Sequence, residues 1–196
     1  MDNYDAMLKS AQRRFTGYDM EMLARKPGVI DAEHSLLTSF FGQSVQVEKA
    51  TGRIVVAGRN ADFGQTLAIL DWLCDRREDA VASGEFCPVG SLPGVFVGGS
   101  GLSMDVPRLA ARIHEEPERF LAACRSLGAE PRVLGDMGCR LQIFPDLPMC
   151  LKFYFGDEEF PPSLILLWDK NILRFVRYET VYYIAGCLQR LLLTMI

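Results

Sequence analysis

Hydrophobic and polar positions fall into blocks along the chain. Tyr4, Met7, Leu8, Ala11 and Phe15 recur at the i, i+3, i+4, i+7 spacing of one helix face. This predicts a first helix capped by Asp2 or Asn3 and running to about Phe15, with Gly17 ending it. A short helix Asp19–Arg25 follows and stops at Lys26-Pro27-Gly28, because proline disfavours helix before it and glycine permits the turn. Three short strands come next: Ser35–Phe41, Ser44–Lys49 and Arg53–Ala57. In the second, Val45 and Val47 alternate with Gln46 and Glu48, and the glycine-bearing links Phe41-Gly42-Gln43 and Ala50-Thr51-Gly52 suit hairpin turns. The block therefore reads as an antiparallel meander.

Asp62 then caps a helix reaching about Arg76. Phe63, Leu67, Leu70, Leu73 and Cys74 form one stripe, while Ile69 and Trp72 lie opposite, so this helix is apolar nearly all round and belongs at the centre. Ala82 to Ser103 is irregular and rich in glycine and proline, a stretch long enough for a binding loop. Helices Met104–Glu115 and Pro117 to Gly128 follow, then strands Arg140–Phe144, Met149–Phe155 and Leu164–Asp169. Asp157 to Pro162 turns between the last two strands, with Phe160 expected to plug into the core. Asn171 leads to a short segment Ile172–Phe175. A closing helix Tyr178–Met195 carries a stripe of Val181, Ile184, Ala185, Leu188, Leu191, Leu192 and Met195, expected to bury against the sheet.

Strands are grouped rather than alternating with helices. The class is thus α+β, a largely antiparallel sheet packed against helices that include an amphipathic C-terminal helix. Residues 1–196 read as a single domain, with a split near Ser83–Leu102 as the alternative. At 196 residues and 49% hydrophobic, the chain can bury a core without metal or disulfide staples. A net charge of −4, with no basic group denser than a pair such as Arg25-Lys26 or Arg76-Arg77, argues against nucleic-acid binding. The polar start carries no signal-peptide pattern and no apolar run approaches the ~18 residues of a membrane span, so a cytoplasmic location is expected. The six cysteines include no CxxC pair; they read as small buried hydrophobes, with Cys87, in a loop-like stretch, the one with room to be exposed.

Four constellations carry candidate chemistry. Gly98, Gly99, Ser100 and Gly101 lie in a glycine loop ahead of a helix start, where successive amides can cradle an anion, although the lysine of a P-loop is missing. Arg174 and Arg177 stand at the mouth of the last helix among Tyr178, Glu179, Tyr182 and Tyr183. Their forked guanidinium groups suit a carboxylate or phosphate, or else an internal pair with Glu179. Asp157, Glu158 and Glu159 supply oxygen ligands for Mg²⁺ or Ca²⁺, with Asp169 as a fourth, unless they merely make a solvated turn. His34 and His114 read as solvated or helix-terminal residues.

The run GDEEFPPSLILLWDKNILRFVRYETVYYIAGCL at 156–188 resembles the C-terminal signature of a family described as domain of unknown function DUF3786. TLAILDWL at 66–73, Ser83-Gly84-Glu85 with Pro93-Gly94, and the LG…GD…FP pattern ending at Pro145 extend the resemblance from about Gly42 to Leu192. The resemblance implies a shared fold and brings no reaction with it. Family members occur in anaerobic bacteria and archaea, some fused to an N-terminal four-cysteine iron–sulfur module; here no cysteine precedes Cys74. Three functional readings follow. The favoured one is a non-enzymatic small-ligand-binding or accessory domain, holding a small anion between the glycine loop and the Arg174/Arg177 edge. The others are a carboxylate-dependent enzyme, with or without Mg²⁺, and a structural module that binds a partner or forms a homodimer through Tyr182/Tyr183. No cofactor is specified.

Overall fold

A computed structural model describes residues 3–92 and 106–196. Its elements follow the hydrophobic blocks. Helices α1 (Asn3–Thr16) and α2 (Met20–Ala24) precede a meander of β1 (Ile30–Ala32), β2 (Ser35–Phe40), β3 (Gln43–Glu48), β4 (Ile54–Val56) and β5 (Arg59–Asn60). Helix α3 (Phe63–Asp75) leads to a short strand β6 (Phe86–Cys87). Helices α4 (Val106–Glu115) and α5 (Pro117–Ser126) are followed by β7 (Glu130–Pro131), β8 (Met137–Phe144), β9 (Leu147–Tyr154) and β10 (Ser163–Asp169), and α6 (Tyr178–Met195) closes the chain. The class is α+β. The strands form two antiparallel sheets, ordered β1-β2-β3-β4-β5 and β6-β10-β9-β8-β7, rather than one.

The sheets are joined at a tight turn. Phe41 and Gly42 form the two-residue β2–β3 link with φ of 49° and 71°, the positive-φ pair whose twist matches a hairpin. A phenylalanine is costly in that region. It is held because its N–H donates to Ile143 O of β8 at 2.9 Å and its side chain is buried. Phe40 lies 5.1 Å from Phe144, which stacks on Trp72 of α3 at 4.5 Å with 6° between the rings. These aromatic contacts tie both sheets to the central helix, and one apolar cluster includes residues from both sheets and from helices α1 to α6.

Helix α3 begins with a capping box, in which Asp62 and Gln65 satisfy each other's backbone amides, and ten of its thirteen residues are buried. Helix α6 packs chiefly on α3, with α4 and α5 beside it, rather than on a sheet. Its buried face accordingly takes in Thr180 and Cys187 and leaves Met195 exposed. No helix among the described residues is long and apolar enough to cross a membrane.

Candidate functional site

The central helix buries one acid, Asp71, among its apolar residues, and its C-terminal end carries Asp75 one turn on; these acids organise the charged groups nearby. Arg14 of α1 donates to both, contacting Asp71 closely and Asp75 at 3.0 Å. Thr180 Oγ1, fully buried on α6, donates to Asp71 Oδ2 at 2.6 Å. Arg177 grips Asp75 with two nitrogens, Nε at 2.8 Å and a terminal nitrogen at 3.1 Å, and Arg174 pairs with Asp79. The two expected anion-binding arginines are therefore directed at the end of α3 and at the segment just after it, and both already hold carboxylates. The acids are Asp75 and Asp79 rather than Glu179. A cleft of about 480 Å³ remains beside Arg14, Asp71, Arg177 and Tyr183.

The other candidates separate. Gly98, Gly99, Ser100 and Gly101 lie outside the described residues. Asp157, Glu158 and Glu159 are exposed on the β9–β10 turn. Asp157 Oδ1 accepts the amides of Glu159 at 2.9 Å and Phe160 at 2.8 Å, and those bonds hold its carboxyl below the usual range. Phe160 is 67% exposed, so it does not plug into the core. Asp169 does not join these acids: it is fully buried and accepts from Ser83 N and Oγ, Gly84 N and Asn171 N. Among the described residues, no group of three or more His, Cys, Asp or Glu is placed to hold a metal ion.

His34 is exposed beside Glu33, while His114 Nδ1 accepts the Gly156 amide at 3.3 Å and steadies the β9–β10 turn. Cys87 is buried rather than exposed, because the short strand β6 pairs it with Trp168. All six cysteines are free and buried.

A groove that residue types alone did not single out lies between α2 and the C-terminal end of α3. It measures about 630 Å³, within the range of small-molecule sites. Buried Leu23, Cys74 and Ala80 contribute apolar lining, and the more exposed Tyr18, Met22 and Val81 stand around it. Arg76 lies on one side with its charge already used. Its Nε donates to Asp146 Oδ2 at 2.8 Å, a terminal nitrogen donates to Ala80 O at 3.0 Å, and the guanidinium lies over the Phe175 ring. Burial pushes the Cys74 thiol up to about 11, so it is not a reactive thiolate.

Lys26 is the polar centre of this groove. Its position follows from the sequence: Pro27 and Gly28 end α2, and Lys26 turns its amine onto the end of α3. There Nζ donates closely to Leu73 O and, at 3.5 Å, to Arg76 O, satisfying carbonyls that the helix leaves open. Burial lowers its pKa and outweighs the opposing effect of Cys74; Arg76 adds repulsion, and Asp75 and Asp146 oppose it. No ion pair forms on Lys26 among the described residues, and Arg25 beside it is largely exposed, with Glu21 at 3.6 Å. The signal available in the sequence was the Arg25-Lys26 pair directly before a helix-stopping Pro-Gly.

A family model described as a domain of unknown function, DUF3786, matches residues 19–190. The chain belongs to the DUF3786 family. The match starts earlier than the resemblance at Gly42 and takes in α2, α3 and all but Tyr18 of the groove lining, whereas α1 and its Arg14 precede it. No curated protein and no solved structure matched the chain.

Proposed function

We propose that this DUF3786 protein is a non-enzymatic small-ligand-binding domain, and that the ligand is a small amphipathic carboxylate seated in the α2–α3 groove. The observation that carries this reading is the half-buried Lys26 ammonium, without a carboxylate partner among the described residues, in a mainly apolar groove of drug-like size. A ligand carboxylate would supply the missing counter-charge, with Arg25 as a second cation at the rim, and an alkyl or aromatic body would cover Leu23, Met22 and Val81. The anion is assigned here rather than to Arg174 and Arg177, whose forks are occupied by Asp79 and Asp75. The apolar cluster common to both sheets supports reading the chain as one binding domain.

Octanoate is a suitable probe, tested by titration calorimetry and thermal shift. One saturable site is expected. Val81→Asp, at a position 71% exposed, should abolish binding by placing a like charge on the groove lining while leaving the fold intact. Absence of binding, or binding unchanged in Val81→Asp, would overturn the reading.

A further inference from the structure

We propose that Lys26 is a site of reversible covalent capture, condensing through Nζ with an aldehyde that bears a carboxylate and an apolar body. This rests on the groove reading above and adds a reaction to it: the neutral form of Nζ takes the aldehyde, and Arg25 at the rim is the cation left for the carboxylate.

The argument begins with the nitrogen's directions. Nζ is tetrahedral, with one direction taken by its own side chain and two pointing at backbone carbonyls, those of Leu73 and Arg76. A neutral amine has two N–H donors and one lone pair, so both donors have acceptors and the lone pair takes the fourth direction, where no protein partner stands among the described residues. Lys26 lines the groove, so an aldehyde seated there meets the nitrogen. Burial favours the neutral form and Cys74 opposes it, with Arg76 adding to the first and Asp75 and Asp146 to the second; Arg25 and Glu78 are the other charged residues lining the groove. The lone pair attacks the carbonyl carbon, forming a C–N bond and a carbinolamine. The carbonyl oxygen then leaves as water with two protons, both originally on nitrogen if the imine forms neutral. No oxidant or reductant is consumed, and hydrolysis reverses the step.

The other four lysines are internal controls. Lys49 is paired with Asp31 at 2.5 Å, Lys170 with Glu85 at 2.5 Å, Lys152 lies over the Tyr154 ring, and Lys9 stands on α1 at a separate shallow hollow. None lines the α2–α3 groove.

The test treats the full chain with 4-carboxybenzaldehyde at neutral pH, traps imines with cyanoborohydride, and maps the five lysines by peptide mass spectrometry. Lys26 is expected to label ahead of the other four, because a lowered pKa leaves more of its amine neutral at that pH, and octanoate should protect it. Lys26→Arg, which keeps donors for the two carbonyls, should lose the selective label and still fold. Labelling of Lys26 no faster than the other lysines would overturn capture, even if octanoate binds normally. Selective labelling that octanoate neither competes for nor slows would support capture and instead count against the carboxylate-binding reading.

Discussion

Asp169 offers the sharpest test of how the segment after α3 is fixed. Its carboxylate is fully buried and takes four donors: Ser83 N at 3.0 Å, Ser83 Oγ at 3.0 Å, Gly84 N at 2.8 Å and Asn171 N at 2.8 Å. These bonds pin the chain just before β6 to the end of β10. Asp169→Ala removes every acceptor at once. A hydrogen bond to a charged group contributes about 1.5–3 kcal/mol. Ser83 and Gly84 are exposed and rehydrate once freed, which places each of their bonds at or below the low end. The expected loss is about 3–4 kcal/mol, less than a simple sum because the donors share one acceptor group. Asp169→Asn keeps one carbonyl acceptor and should lose about half as much. Urea unfolding measures both, and hydrogen exchange should show the Ser83, Gly84 and Asn171 amides losing protection together. A loss under about 1 kcal/mol for Asp169→Ala, or amides still protected, would refute the reasoning.

Three further outcomes are expected. Arg14→Met removes the donor that ties α1 to Asp71 and Asp75 and should cost about 1–3 kcal/mol, with exchange rising first in residues 3–16; Thr180 still holds Asp71. Gly42→Ala places a Cβ 2.5 Å from Leu127 O at φ +71° and should destabilise by more than about 1 kcal/mol in chemical denaturation. The Lys26 pKa is lowered on folding, so between the folded value and the unfolded value of about 10.4 the unfolded state binds more protons and stability rises with pH. The buried thiols and tyrosines with raised pKa act in the opposite direction, so the effect is read as a difference: in urea unfolding, the stability of the wild type relative to Lys26→Met should increase from neutral to alkaline pH.

Long periodic segments were legible in the sequence because their spacing reports directly on burial. The closing helix was placed at Tyr178–Met195, its observed span, and Asp62 was identified as the cap of the central helix. The shortest strands were not legible. Arg59–Asn60, Phe86–Cys87 and Glu130–Pro131 are two residues each, held by pairing with a neighbour rather than by their own composition. The second sheet was missed for the same reason: pairing partners are set by tertiary packing. The residue types mark Arg174 and Arg177 as forks for a ligand's carboxylate or phosphate, or for Glu179. The carboxylates they hold, Asp75 at the end of α3 and Asp79 in the segment after it, lie about a hundred positions earlier, and no local pattern reports that. The groove escaped notice because it is built from two helix ends, and its cation resembled an ordinary stop signal.

The most direct test of the groove is a titration of the ¹⁵N-labelled protein with octanoate, followed by amide shifts. Saturable changes confined to residues 18–27 and 74–81, absent in Val81→Asp, are predicted. Changes centred on residues 174–179, or no saturable change at all, would contradict the assignment of the binding site to Lys26.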